Sequence, residues 1–161
     1  MPTNDDNRGD AAALVCERLA PDLAGVAARR IPIGPPGPGE LLVAVRAAAL
    51  NFPDLLMCEG RYQFKPPLPF VPGMEGSGVV LEVGEGVDPG RLGQSVRFSR
   101  KGGALAERIR VPHSQAWPTL ARHDFAQSAS WHVGAVTAYV GLVRLGMLER
   151  GHTVLVHGGT G

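Results

Sequence analysis

The chain has only two cysteines, Cys16 and Cys58, far apart in sequence and without a C-x-x-C pair. Neither a disulfide framework nor a four-cysteine zinc lobe can be built from them, so two buried free thiols in a reducing compartment are expected. Charge of one sign is missing too. Sixteen basic and fifteen acidic side chains leave a formal net charge of +1, and the arginines are scattered, so no general field attracts nucleic acid. No apolar run approaches the ~18 residues of a membrane span, and the opening MPTNDDNRGD lacks the apolar stretch of a signal peptide. These absences point to a cytoplasmic protein without a nucleic-acid or membrane partner. The five histidines, at 113, 123, 132, 152 and 157, show no metal-ligand spacing.

Glycine and proline are abundant instead, 22 and 14 in 161 residues. Their share exceeds the usual combined ~12% but falls short of the ~25–30% that marks disorder, so many short strands and tight turns are expected. Residues 1–10 are polar, with nothing to bury, and read as a frayed tail. Strands are expected at 11–17, 25–33 and 40–50. The rigid loop GPPGPG ends the second, and the third is apolar enough to be covered on both faces. Residues 51–58 then read as a turn of helix, with Leu55 and Leu56 facing inward and Asn51 as its cap. A Pro-rich loop at 65–72 follows, which lacks the N–H groups that a helix or central strand needs. Next, Gly73, Gly76 and Gly78 lead into Val79, Val80, Leu81 and Val83, and Gly84 and Gly86 close the run in a turn. Two more short strands, at 94–99 and 104–111, complete a set whose close spacing predicts a barrel.

From Asp124 the period changes. Asp124 with Gln127 resembles a capping box, and Ala129, Val133, Val136, Val140 and Val143 recur at helical spacing, which predicts one helix ending near Gly146. The run TVLVH at 153–157 reads as a compact strand that enters GGTG at 158–161. A strand running into G-x-G is how a dinucleotide-binding βαβ unit begins. Here Gly159 and Gly161 supply two glycines, and the sequence stops before a third. The expectation is therefore a chain cut inside a cofactor fingerprint.

Four sequence words carry a resemblance: PGE with LLVAVRAAALN at 38–51, the stretch 51–87, GALAE at 103–107, and TVLVHGGTG at 153–161. In this order, over roughly residues 12–161, they resemble the N-terminal GroES-like catalytic domain of zinc-free medium-chain dehydrogenases/reductases, in particular the NAD(P)H:quinone oxidoreductase family. The fold class this implies is mainly β: a GroES-like barrel over 11–125, followed at 126–161 by a helix and the first strand of a truncated Rossmann α/β domain.

The resemblance also implies a reaction. Zinc-dependent relatives carry a Cys at the start of the helical turn and a His between the Gly and Glu of the next strand, whereas this chain has Asn51 and Met74 there. An amide is a poor zinc ligand and a thioether suits softer metals, so no zinc is expected. Without a Lewis acid, hydride transfer from NADPH, with NADH as the alternative, to a quinone or α,β-unsaturated carbonyl is favoured over alcohol oxidation. Asn51 and Tyr62 match the family's polar side chains beside nicotinamide and acceptor, and Thr137 matches a threonine near the nicotinamide amide. Gly159 and Gly161 would approach the pyrophosphate.

Each residue has a plainer alternative: Asn51 a helix cap, Tyr62 packing on the prolines, Thr137 a bond to the preceding turn, Glu75 a buried structural carboxylate. Leu56 stands where family members often have a second tyrosine. An enoyl-thioester reductase and a non-enzymatic GroES-like binding module remain the other functional readings. The partners implied are a small electron-poor acceptor and, in the full-length protein, further copies in a homo-oligomer.

Overall fold

Short strands pair throughout in antiparallel register. In a computed structural model, which describes residues 9–159, β1 (Asp10–Cys16) pairs with β2 (Val26–Pro32). A second sheet holds β3 (Glu40–Ala49), β4 (Glu75–Val83), β5 (Ser95–Ser99), β6 (Arg108–Pro112) and β7 (Ala116–Pro118), in the order β6-β3-β4-β5-β7. Bridges from Ala13 to Ala106 and from Cys16 to Phe70 tie the small sheet to the chain beside the large one. The expected mainly β, barrel-like architecture is present. Its core is read from period-2 alternation: Leu41 and Val43, Val80, Val96 and Phe98, and Ile109 and Val111 point to one side and pack together.

Several elements differ from the sequence reading. Coverage of β3 on both faces is limited to Leu41, Leu42 and Val43, and the strand is half-buried or exposed beyond them. Residues 104–107 do not extend β6. Their backbone turns to β1 instead, with Leu14 N–H donating to the Leu105 carbonyl and Glu107 N–H to that of Ala12. The three-residue β7 was not foreseen, being too short to show a period. In α1 (Phe52–Cys58) the buried side chains are Asp54, Met57 and Cys58, while Leu55 and Leu56 are only half-buried. The i, i+3, i+4 spacing of the buried three makes one face, which Asp54 fastens to the following loop.

The single helix expected over 124–146 is broken. Its capping box forms, with Gln127 N–H donating to Asp124 at 2.8 Å and Asp124 N–H to Gln127 at 3.1 Å. However, α2 (Phe125–Ala129) stops where the Ser130 hydroxyl bonds back to the carbonyls of Ala126 and Gln127. A new helix, α3 (His132–Tyr139), starts at once and widens into a π-type winding over Val140–Leu145. Ala129 is buried, but the rest of the apolar stripe is open: Val136, Val140 and Val143 are each about 40% exposed. The run 153–157 does not form the expected strand. A strand exists only in a ladder, and no described segment pairs with it, so Val154, Leu155 and Val156 stand exposed. Of the tail expected at 1–10, residues 1–8 lie outside the described residues, as do Thr160 and Gly161 of the Gly-rich motif, whereas Asp10 is no tail residue but opens β1 opposite Pro32.

Candidate functional site

Two buried carboxylates organise the region around α1. Asp54 accepts from the Asn51 N–H at 2.9 Å and the Gly73 N–H at 3.0 Å, and also from the Met74 N–H. One side chain thus ties the start of α1 to the entrance of β4. Burial pushes the Asp54 pKa up and the nearby Glu75 charge adds to this, while the three N–H bonds hold it back. Folded Asp54 therefore takes up its proton at a higher pH than the unfolded chain does. The stability it contributes is complete below the unfolded value near 3.8 and is lost as pH rises through the folded value. Chemical unfolding of the wild type and Asp54→Asn, from neutral pH downwards, is expected to show the difference moving in the wild type's favour as pH falls. A flat or opposite trend would contradict this assignment.

Glu75, 1% exposed, connects elements far apart in sequence. One carboxylate oxygen accepts from the Asn51 side-chain amide at 3.1 Å, and the other accepts from the Val133 N–H in the first turn of α3 at 2.9 Å. Thr137 lies four residues beyond Val133, on the same helix face and about 6 Å along the axis. Glu75 thus links Asn51 to the first turn of the helix that carries Thr137, whose side chain is exposed. The reading of Glu75 as a structural carboxylate fits this geometry, although neither of its partners was visible in the sequence.

Aromatic packing anchors the same helix. The Arg97 guanidinium lies 4.7 Å from the Trp131 ring centre and 5.4 Å from that of Trp117, and the His132 ring stacks on Trp117 at 5.0 Å. Burial, then the Arg97 charge, lowers the His132 pKa, and Glu75 partly opposes the shift. Cys16 and Cys58 are neighbouring free thiols, both buried, and the Cys16 thiol donates to the Arg18 carbonyl at 3.4 Å. Burial first, and Cys16 second, push the Cys58 thiol up to about 12, so it packs as a thiol rather than acting as a nucleophile.

Tyr62 and Asn51 line different cavities. Tyr62 shares one of about 420 Å³ with Met57, Gln63, Phe64, Met74 and Lys101. Its hydroxyl makes no hydrogen bond to another described residue. Asn51 instead lines an apolar cavity of about 260 Å³ with Asp54, Leu55, Cys58, Leu14 and Leu105 among its walls. Met57 and Asp54, one turn apart on the buried face of α1, back the two cavities. Gly159 lies apart from both; the nearest side chain to it is Val156 of its own segment. Asp54 and Lys101 were missed as site residues. An Asp three positions after a cap residue is a sequence signal that would have found the first, and nothing local marks the second.

Residues 37–121 match the alcohol dehydrogenase GroES-like domain. The chain belongs to that family. Among its relatives, the human synaptic vesicle membrane protein VAT-1 homolog is 43% identical over 129 residues, which are 78% of this chain and 33% of that protein. The quinone oxidoreductase-like protein 2 homolog of Nematostella vectensis is 40% identical over 78% of this chain and 34% of its own length. Among solved structures, the quinone oxidoreductase of Thermus thermophilus, also determined in complex with NADPH, superposes with a TM-score of 0.66. It is 32% identical, and the match covers 83% of this chain and 40% of that one. The chain thus spans about a third of the length of the curated relatives it matches.

Met74 presents a thioether at the entrance of β4, the Asn51 amide donates to Glu75, and among the described residues no three His, Cys, Asp or Glu side chains gather to hold a metal ion. The Thr137 side chain and Gly159 are both exposed. Among the described residues no helix is long and apolar enough to cross a membrane.

Proposed function

We propose that this chain is the substrate-side portion of a longer, zinc-free reductase that transfers hydride from NADPH to a quinone or related α,β-unsaturated carbonyl. The observation that carries the reading is one cavity, in a domain 40% identical to a quinone oxidoreductase-like protein, whose lining includes both Tyr62, with its unengaged hydroxyl, and Met74. Bound NADPH would supply the hydride. Tyr62 would donate its hydroxyl proton to an acceptor oxygen as a hydrogen bond, and the Asn51 amide, held by Glu75, would face the nicotinamide side near Thr137. Orientation and hydrogen bonding suffice for an acceptor that is already electron-poor.

In this reading residues 11–125 form the substrate domain. Residues 126–161 open a nucleotide-binding domain, whose continuation past Gly159 and Gly161 would complete the pyrophosphate seat. The exposed apolar surfaces of α3, Val140–Leu145 and 154–156 support it, since they would be covered by that continuation. A reducing, cytoplasmic compartment fits the two free thiols.

The test compares the full product of the gene with residues 1–161, by fluorescence titration of NADPH and by quinone reduction. The full product is expected to bind and turn over, and residues 1–161 alone to self-associate without turnover. Turnover by monomeric residues 1–161 would overturn the domain assignment. A full product that reduces neither quinones nor enones would overturn the reductase reading in favour of a binding module.

A further inference from the structure

The acceptor cavity beside Tyr62 has one cationic wall. Of its lining side chains, Met57, Tyr62, Gln63, Phe64 and Met74 are neutral, and Lys101 alone carries a charge. Its ammonium sits 4.9 Å from the centre of the Phe64 ring, a cation–π contact that keeps it over a wall of the cavity. The backbone on both sides is fixed to the segment that forms the floor. Arg100 N–H donates to the Met74 carbonyl at 2.8 Å, and Gly103 N–H to the carbonyls of Val71 and Pro72 at 2.8 and 3.2 Å. Gly102 and Gly103, at φ +141° and +101°, make the tight exit this requires. Among the described residues Lys101 meets no carboxylate. Asp54 and Glu75 are spent on backbone N–H groups and the Asn51 amide behind the cavity.

We propose that Lys101 is a specificity residue, selecting electron-poor acceptors that carry an anionic substituent such as a sulfonate, carboxylate or phosphate. The inference rests on the acceptor-reductase reading above and sharpens it from a quinone or enone in general to an anionic one. An ammonium already placed at the rim loses little freedom when an anion arrives. Being exposed, it gains only a modest, salt-sensitive preference.

The experiment uses the full product of the gene with saturating NADPH, and measures kcat/KM for a neutral naphthoquinone and for a naphthoquinone sulfonate in the wild type, Lys101→Gln and Lys101→Arg. For Lys101→Gln, a loss of about 5- to 10-fold on the sulfonate is expected, carried by KM, against less than about twofold on the neutral quinone. Lys101→Arg is expected to retain the preference, and raising the salt to roughly 0.3 M to shrink it. Equal losses on both acceptors, or none, would overturn the role of Lys101 while leaving the reductase reading intact. In a companion series that varies NADPH at fixed quinone, a raised KM for NADPH with unchanged sulfonate preference would assign Lys101 to a cofactor phosphate instead, which also overturns it. Failure of the wild type to reduce either quinone would remove the reductase reading, and this inference with it.

Discussion

Glu75→Ala is expected to destabilise the folded chain by about 2–4 kcal/mol, because it leaves the Asn51 amide and the Val133 N–H without their acceptor in a buried site and opens a void where the side chain stood. Glu75→Gln separates packing from hydrogen bonding. Its volume is retained, but an amide has one oxygen, so either Asn51 or Val133 N–H must face an NH₂ group. On the proposed reductase reading, Glu75→Gln in the full product is expected to lower kcat/KM for a quinone about tenfold, a loss of about 1.4 kcal/mol, by loosening Asn51 and the first turn of α3 together. Urea unfolding and steady-state kinetics on both variants check this. Wild-type activity in Glu75→Gln with wild-type stability in Glu75→Ala would show that the link does nothing.

Gly78→Ala should have the largest effect on folding. Gly78 lies in β4 opposite Val45 of β3, and a Cβ built on it would stand 1.9 Å from the Ala44 carbonyl oxygen and 3.0 Å from a Val43 methyl. The obstacle is backbone, in the central strand pair, and cannot swing away. Relief would require parting β3 from β4, at a cost of about 4 kcal/mol or more, a large part of the ~5–15 kcal/mol that holds a domain folded. Far-UV circular dichroism and urea unfolding are expected to show a variant that is unfolded or close to it. Gly86→Ala serves as the contrast, since nothing lies within 4 Å of its Cβ and only its φ of +78° opposes the change, at about 1 kcal/mol. Equal, small effects at the two positions would contradict the close approach at Gly78.

What the sequence determined by itself is what its local chemistry encodes. Alternation and Gly/Pro punctuation place β1 to β5 within a residue or two, because a strand's side-chain period and a turn's backbone demands are properties of the strand and the turn. The capping box at Asp124 and Gln127 is legible for the same reason, as its two bonds span three residues. That Asn51 offers an amide and Met74 a thioether is a matter of residue type alone. Tertiary structure decided the rest. Glu75 meets Asn51 and Val133 across 24 and 58 positions, Lys101 comes to rest over Phe64, and Cys16 is brought to Cys58 despite a spacing that suggested nothing. The apolar period that read as one helix from Asp124 to Gly146 is interrupted because a period records which positions are greasy, not whether the Ser130 hydroxyl will compete for the carbonyls behind it. The run 153–157 has strand composition but no ladder, since a strand is completed only by a neighbour's hydrogen bonds, and none of the described residues provides them.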